Sequence, residues 1–156
     1  MKKSRLDKID RNILSRLQFD GRVTNVELAK SVGISAPPCL RRVRALEKSG
    51  YIKEYNAVID SNKMGYGVTV FALVKLKGQT EEELNKFEKY IEELPMVRES
   101  YMLAGDVDYV LKIVAKDWDA YQDILSHKLT TAPSVESVKS SLTMKCVKNE
   151  PGIPIE

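Results

Sequence analysis

Two short helical segments separated by only a tight turn are the strongest structural constraint in this sequence. Thr24-Asn25-Val26-Glu27 has the form of a capping box, in which the Thr hydroxyl and the Glu carboxylate each satisfy a free backbone N–H. Gly33 suits the left-handed residue that ends such a helix, and only Ile34 separates it from the next cap candidate, Ser35. The second helix must therefore begin almost where the first one ends. This arrangement predicts a helix-turn-helix.

The helix after this turn is predicted over residues 35–49 and carries a stripe of arginines. Pro37 and Pro38 fall in its first turn, where the missing proline N–H costs little. At 100° per residue, apolar and basic side chains separate onto opposite faces. The buried face is predicted to hold Cys39, Leu40, Val43 and Leu46, and the basic face Arg41, Arg44 and Lys48, with Arg42 at its edge.

The arginine stripe indicates a polyanionic partner, because the second helix of a helix-turn-helix lies in the DNA major groove. Arginine can grip phosphates or the O6/N7 edge of guanine. The first sixty residues carry 13 Lys and Arg against 7 Asp and Glu, whereas the rest carry 12 against 15. We also predict a phosphate contact from Ser35 and the first-turn backbone amides. The alternative is a solvated basic helix on an ordinary three-helix bundle.

Two further segments flank the helix-turn-helix. A preceding helix that ends near Asp20-Gly21 is predicted from apolar residues at helical spacing. Residues 51–59 follow the basic helix with strand-like composition, which predicts a small wing or a linker strand. The apolar stripe of the preceding helix consists of Leu6, Ile9, Ile13, Leu14 and Leu17.

The remaining residues alternate strands and helices in the order β-α-β-β-α-β, which predicts a ferredoxin-like domain and an α+β chain. Helices are predicted after the caps Thr80 and Asp117. If both helices cover one face of the sheet, the other face is bare, and bare apolar sheet predicts self-association. Strands are predicted over residues 66–76, 97–103, 108–114 and 135–144, and the bare face is predicted to hold Phe71, Leu73 and Ile113.

A turn with two aspartates, residues 103–109, is the most unusual loop of this half. Gly105 offers an accessible N–H, and Asp106 and Asp108 offer carboxylates two residues apart. A free amino acid needs both kinds of partner, a carboxylate for its ammonium and donors for its carboxylate. Gly-Asp is also ordinary hairpin chemistry, and an Asp-x-Asp metal site lacks other ligands. Further hydroxyl donors stand at Thr130, Thr131 and Ser134.

Other function classes find little support in the composition. No stretch approaches the roughly 20 apolar residues of a membrane helix, and no signal-peptide core follows the first residues, so we expect a cytoplasmic protein. The lone His127 and the two cysteines, Cys39 and Cys146, do not have zinc-site spacing. We therefore expect neither a metal nor a cofactor, and an enzyme is disfavoured because no activated nucleophile or phosphate-binding glycine loop is present.

Three stretches together resemble the leucine-responsive/asparagine-regulator (Lrp/AsnC) family of transcription factors. The first is the opening helix, Leu6-Asp7-Lys8-Ile9-Asp10-Arg11-Asn12-Ile13-Leu14. The second is Gly33-Ile34-Ser35-Ala36-Pro37-Pro38-Cys39-Leu40-Arg41-Arg42-Val43-Arg44-Ala45-Leu46-Glu47, together with Gly50-Tyr51-Ile52. The third is Gly105-Asp106-Val107-Asp108-Tyr109-Val110-Leu111-Lys112. The resemblance covers nearly the whole chain.

The resemblance implies a winged helix-turn-helix over residues 1–52, a linker strand or hinge over 53–65, a ferredoxin-like effector domain over 66–147 and a flexible tail over 148–156. It implies double-stranded DNA and a free amino acid as partners. It also implies a homodimer that assembles into tetramers or octamers. The predicted DNA contacts are Thr24, Asn25, Ser35, Pro37, Pro38, Arg41, Arg42, Arg44 and Lys48. The effector contacts it implies are Met102, Leu103, Ala104, Gly105, Asp106 and Asp108, with Thr130, Thr131 and Leu142 from the partner side.

The function expected from this resemblance is a sequence-specific regulator whose DNA occupancy or assembly state responds to an amino acid. The alternative is an architectural DNA-binding protein without an effector response, which has the same basic helix and no ligand. A ligand that stabilises the native state would distinguish the two.

Overall fold

The computed structural model describes residues 6–150 and 152–156, and the chain forms two compact units. The first unit comprises Met1–Val58 and Lys148–Glu156, and the second comprises Ile59–Val147. Residues 1–5 of the predicted DNA-binding domain and residue 151 of the predicted tail lie outside the described residues. Each unit has its own hydrophobic core.

Three helices form the first unit: α1 (Lys8–Phe19), α2 (Asn25–Val32) and α3 (Ala36–Lys48). The predicted capping box begins α2, since the Thr24 hydroxyl accepts from the Glu27 N–H and the Glu27 carboxylate accepts from the Thr24 N–H. Gly33 then ends α2 in the left-handed conformation, with φ 74°. The tight turn between α2 and α3 is therefore confirmed.

The core of the first unit is formed by Ile13, Leu28, Ala29, Cys39 and Leu46. The prediction that Leu40 is buried was wrong, because 37% of this side chain is exposed. The buried stripe of α3 is narrower than predicted and follows residues 39, 43 and 46, whereas Leu40 is rotated about 100° from Cys39.

The segment that follows α3 has no regular secondary structure. Residues 51–59 form no strand in the part of the chain that the structure describes, although their composition predicted one. These residues have no neighbouring strand to bond with in a single chain, and strand propensity alone does not make a ladder. The tail, residues 148–156, was predicted to be loose, but its described residues Ile153 and Glu156 are hydrogen-bonded to α1.

The second unit has the predicted β-α-β-β-α-β order. Its elements are β1 (Val68–Leu76), α4 (Glu81–Glu92), β2 (Val97–Met102), β3 (Tyr109–Ala115), α5 (Trp118–Ile124), a π-helical turn (Leu125–Leu129) and β4 (Val135–Leu142). The strands form one antiparallel sheet in the order β2-β3-β1-β4. Among the described helices, none is long and apolar enough to cross a membrane.

The helices pack on one face of this sheet and cover its core. The prediction that Ile113 lies on the bare face was wrong, because Ile113 pairs with Val70 and both are fully buried. The opposite face carries Tyr101, Val110 and Leu73 side by side across three strands, with Phe71 nearby. Phe71 and Tyr101 are 41% and 56% exposed, so these apolar side chains lie open in one chain, beside the Lys112–Glu99 ion pair on the same face.

Candidate nucleic-acid interface and ligand loop

The exposed face of α3 presents three cations. Arg41, Arg44 and Lys48 are all exposed, and none forms an ion pair with another described residue. Their opposite face is held in the core by Cys39 and Leu46. The helix therefore offers its charges on a rigid support, and nothing within the described chain competes for them.

Arg42 stands apart from this cationic face. Its Nη1 contacts Asp7 Oδ2 and Asp10 Oδ1, both at 2.7 Å. The carboxylates raise the pKa of the Arg42 guanidinium, with Asp10 as the larger cause. The pKa of Asp7 is lowered, first by the Asp10 backbone N–H and then by Arg42. Arg42 thus joins α3 to the start of α1, and its predicted DNA contact stays a prediction.

The start of α3 differs from the expected phosphate site. Ser35 is the N-cap residue, but its side chain makes no cap hydrogen bond. The cap acceptor normally bonds the second or third helical N–H, and here those positions are Pro37 and Pro38, which have none. The expected cluster of first-turn amide donors is therefore missing. The Ser35 hydroxyl is exposed and remains available as a donor.

The two predicted contacts at the start of α2 have roles within the fold. Thr24 caps α2, and its hydroxyl also donates to Glu27 Oε2 at 2.7 Å. Asn25 Nδ2 donates to the Ala36 carbonyl at 2.9 Å, which joins the first turns of α2 and α3. Asn25 Oδ1 is buried and has no hydrogen-bond partner among the described residues. These residues set the angle between the two helices.

In the second unit, the predicted ligand loop joins β2 to β3. Met102, Leu103, Ala104, Gly105 and Asp106 are exposed. Leu103 N–H bonds the Asp108 carbonyl at 2.8 Å, which closes the loop. The loop therefore has exposed residues at 102–106 and is closed by a backbone hydrogen bond between Leu103 and Asp108.

Asp108 is the buried base of this loop, with 5% of its surface exposed. Its Oδ2 accepts from the Leu76 N–H at 2.7 Å, and its Oδ1 accepts from Gln79 Nε2 at 2.6 Å. The Asp108 N–H also bonds the Val74 carbonyl. The carboxylate that was predicted to meet an ammonium group thus serves to join the loop to the end of β1.

Gly105 is a glycine that this chain does not itself require. Its backbone is outside the left-handed region, and a Cβ placed there meets no atom within 4 Å. Glycine is expected where the chain needs positive φ or where another group approaches the backbone closely. Within the described chain, neither condition is met at Gly105.

The remaining predicted effector residues lie in two places. Thr130 and Thr131 precede β4 at the end of the sheet that carries the loop, and their hydroxyls bond the carbonyls of Ser126 and His127. Leu142 pairs with Val70 at the opposite end of the sheet. A single chain therefore does not bring Leu142 to its own loop.

Three residues that hold these sites in place were missed by the sequence reasoning. Asp7 and Asp10 form a capping box on α1 and bind Arg42, and Gln79 binds Asp108. The Asp-x-x-Asp spacing was a readable cap signal, but its pairing with Arg42 was not local. No group of three or more His, Cys, Asp or Glu among the described residues is arranged to hold a metal.

Comparison with known proteins defines the class to which these two units belong. A family model described as winged helix-turn-helix DNA-binding matches residues 6–53, and one described as the Lrp/AsnC ligand binding domain matches residues 69–153. The two matches cover both units. The chain is therefore a DNA-binding transcriptional regulator with a ligand-binding domain.

Whole-length relatives agree with both matches. The chain is 45% identical over 144 residues to the leucine-responsive regulatory protein of Rhizobium meliloti (strain 1021), which covers 92% of each chain. It is 42% identical over 142 residues to the Bkd operon transcriptional regulator of Pseudomonas aeruginosa, covering 91% of this chain and 93% of the relative. The crystal structure of the transcriptional regulator NMB0573 of Neisseria meningitidis, a complex with L-Met, is 31% identical with a TM-score of 0.92 and covers 96% and 97% of the chains.

The chain belongs to the Lrp/AsnC family. The family consists of transcriptional regulators rather than enzymes, as the sequence predicted. The α+β fold with a winged helix-turn-helix and a ferredoxin-like domain is the family's fold as well.

Proposed function

We propose that α3 enters the major groove of double-stranded DNA and that Arg41, Arg44 and Lys48 contact bases or phosphates there. The single observation that carries this proposal is the row of three exposed cations with no internal ion-pair partner on a helix whose other face is buried. Guanidinium groups on such a face match phosphate oxygens and the O6/N7 edge of guanine. The exposed Ser35 and Pro37 flank this face, and Thr24, Asn25, Pro38 and Arg42 complete the proposed interface mainly by holding α3.

The second part of the proposal is an amino-acid site on the exposed loop, residues 102–106. Asp106 supplies a free carboxylate, and the exposed backbone at Gly105 leaves room for a ligand or a second subunit. Asp108 holds the base of the loop, and Thr130, Thr131 and Leu142 belong to the partner side. A site shared between subunits is supported by the distance along the sheet between Leu142 and the loop of its own chain.

Self-association through the bare face of the second unit completes this proposal. Tyr101, Val110, Leu73 and Phe71 form an apolar surface that is open in one chain. Uncovered apolar sheet of this kind is uncommon in monomers. A two-fold dimer would place two copies of α3 to read paired half-sites, and tetramers or octamers would then follow from further contacts between dimers. Because its partner is DNA, we propose that the chain acts in the cytoplasm.

DNA binding is tested by fluorescence anisotropy with the duplex upstream of the chain's own gene. The Arg41→Ala and Arg44→Ala variants should each bind more weakly than the wild type, by about 1–3 kcal/mol where a base pairing is lost. Lys89→Ala, an exposed cation on α4 of the second unit, is the matched control and should keep the wild-type affinity. Wild-type affinity in both arginine variants would contradict the interface.

The effector is tested by measuring the thermal unfolding of the wild type with each of the twenty amino acids. A ligand present at 100 times its Kd stabilises the native state by about 2.7 kcal/mol, which is a clear shift in Tm. Light scattering and anisotropy with the best amino acid then report assembly and DNA occupancy. If none of the twenty shifts the Tm, the protein is an architectural DNA-binding protein without an effector response.

A further inference from the structure

A groove along α1 in the first unit takes no part in the proposed DNA contacts. Its volume is about 690 Å³, and its walls are α1, residues 51–55 and residues 152–156. None of its described lining residues belongs to α3, so an occupant of this groove leaves the cationic face of α3 open. Its apolar lining residues include Leu6, Leu14, Leu17, Ile52, Ile153 and Ile155.

The tail is fixed to this groove at two points. Gln18 Nε2 donates to the Ile153 carbonyl at 3.0 Å, and the Ile153 N–H donates to Gln18 Oε1 at 2.9 Å. Arg11 Nη1 donates to the Glu156 carbonyl. The Gln18 amide therefore pairs with both main-chain groups of one tail residue, as a neighbouring strand would.

The spacing of these two anchors matches the geometry of both partners. Arg11 and Gln18 are seven residues apart on α1, which places them on one face and about 10.5 Å apart at 1.5 Å per residue. Ile153 and Glu156 are three residues apart, and an extended chain of this length spans about 10 Å. An extended tail that runs antiparallel to α1 therefore meets both anchors, with Leu14 between them.

Gly152 makes this path possible. Its φ is +73°, a conformation that side chains with a Cβ rarely adopt. A Cβ at this position would also collide with the Gln18 side chain. Two separate physical requirements thus coincide on the residue immediately before the Gln18 anchor.

From these contacts we propose that residues 152–156 act as a strap that limits the freedom of the DNA-binding unit. The chain passes between its two units twice, at residues 58–59 and at residues 147–148. With the strap docked on α1, the DNA-binding unit is held by two connections to the second unit instead of one. This inference rests on the proposed DNA-binding function.

The expected consequence concerns DNA with two half-sites. Once one subunit of a dimer has bound, the second binding event is intramolecular. Its strength depends on the effective concentration of the partner subunit's DNA-binding unit at the second half-site. A docked strap restricts the positions that each DNA-binding unit can reach. It therefore raises this effective concentration when the spacing of the half-sites is correct. Binding to a single half-site does not depend on this restriction, because only one DNA-binding unit is engaged.

The docking itself is tested by hydrogen exchange of the full-length protein. The segment from residue 148 to 156 should exchange more slowly in the wild type than in Gln18→Ala, which removes both bonds to Ile153, and in Gly152→Val, which blocks the path. Asn12→Ala, exposed on α1 and outside the groove lining, is the matched control and should exchange like the wild type. Fast exchange of the tail in the wild type would overturn the proposal.

The consequence is tested by anisotropy with two duplexes cut from the footprint on the upstream region, one with both half-sites and one with a single half-site. Gln18→Ala, Gly152→Val and a chain ending at Val147 should bind the paired duplex roughly fivefold more weakly, and the single half-site within twofold of the wild type. Variants that lose tail protection yet bind the paired duplex like the wild type would overturn the strap. A wild type that binds neither duplex would instead contradict the proposed function.

Discussion

The exposed face of α3 and the proposed ligand loop use their charges in opposite ways. On α3, Arg41, Arg44 and Lys48 are exposed and have no ion-pair partner among the described residues. In the loop, Asp108 is buried and bonded to Leu76 and Gln79. The helix therefore offers free charges to a partner, whereas the loop uses its buried charge to hold a shape and offers backbone and Asp106 instead.

A charged residue within a motif can therefore support the local structure and leave the contact with a partner to its neighbours. Arg42 is another example within α3, since it is adjacent to Arg41 in sequence and yet bonded to Asp7 and Asp10. Exposure and internal partners, rather than position in a motif, separate the side chains that are available from those that support them.

The largest expected effect is on stability and follows from removing the buried carboxylate. Asp108→Ala leaves the buried Leu76 N–H and the Gln79 amide without their acceptor, which should lower the free energy of unfolding of the second unit by about 2–3 kcal/mol. Urea unfolding followed by the fluorescence of Trp118, the single tryptophan, reports this unit. Asp106→Ala is the exposed control and should unfold like the wild type. Equal stability of the two variants would contradict the claim that the buried Asp108 carboxylate holds the loop in place.

The next effect is on DNA affinity. Arg44→Ala should weaken binding to the upstream duplex by about 1–3 kcal/mol wherever a base contact is lost. The first unit should keep its thermal stability, because Arg44 makes no ion pair with another described residue. If Arg44→Ala lowers the Tm of the first unit, and if its loss of DNA affinity disappears at low temperature, Arg44 supports the fold and does not contact DNA.

A smaller effect is expected at Arg42, which differs from Arg44 on the same helix in having internal ion-pair partners. Arg42→Ala removes a partly exposed ion pair, which solvent screens, so its contribution to stability is small. The variant should lower the thermal stability of the first unit slightly, and its loss of DNA affinity should be smaller than that of Arg44→Ala. The double variant Asp7→Ala with Asp10→Ala should lower the stability of the first unit further, because it also removes the capping box at the start of α1. An affinity loss at Arg42 as large as at Arg44 would show that both arginines meet DNA.

The smallest effect on folding is expected at Gly105. Gly105→Ala should leave the free energy of unfolding within about 0.5 kcal/mol of wild type, because the added Cβ enters open space. The Tm shift caused by the amino acid should nevertheless decrease, because the methyl group occupies the approach to the loop. Gly33→Ala is the contrasting variant, since its φ of 74° makes the substitution strained. An unchanged ligand response in Gly105→Ala would remove the loop from the site.

Features set by nearby residues could be predicted from the sequence. The capping box at Thr24, the cap at Thr80 and the left-handed Gly33 all follow from spacings of a few residues, and all were confirmed. The absence of amide donors at Pro37 and Pro38 was also readable in principle, because proline has no N–H whatever the fold.

Features set by distant residues could not be predicted in this way. Arg42 and Asp7 are 35 residues apart, Asp108 and Leu76 are 32 apart, and Gln18 and Ile153 are 135 apart. No periodicity or cap signal relates such pairs, since only the packed fold brings them together. Local composition also led to the expectations of a loose tail, a strand over residues 51–59 and a bare position for Ile113. Composition does not show which groups a segment contacts in the folded chain.

The salt dependence of DNA affinity reports how many phosphates the exposed face of α3 contacts. The logarithm of the binding constant should fall linearly with the logarithm of salt concentration, because each phosphate contact releases counterions. The triple variant Arg41→Ala, Arg44→Ala, Lys48→Ala should reduce this slope by about two to three, whereas Arg42→Ala should keep the wild-type slope. A triple variant with the wild-type slope would contradict the claim that the exposed face of α3 is the surface that meets DNA.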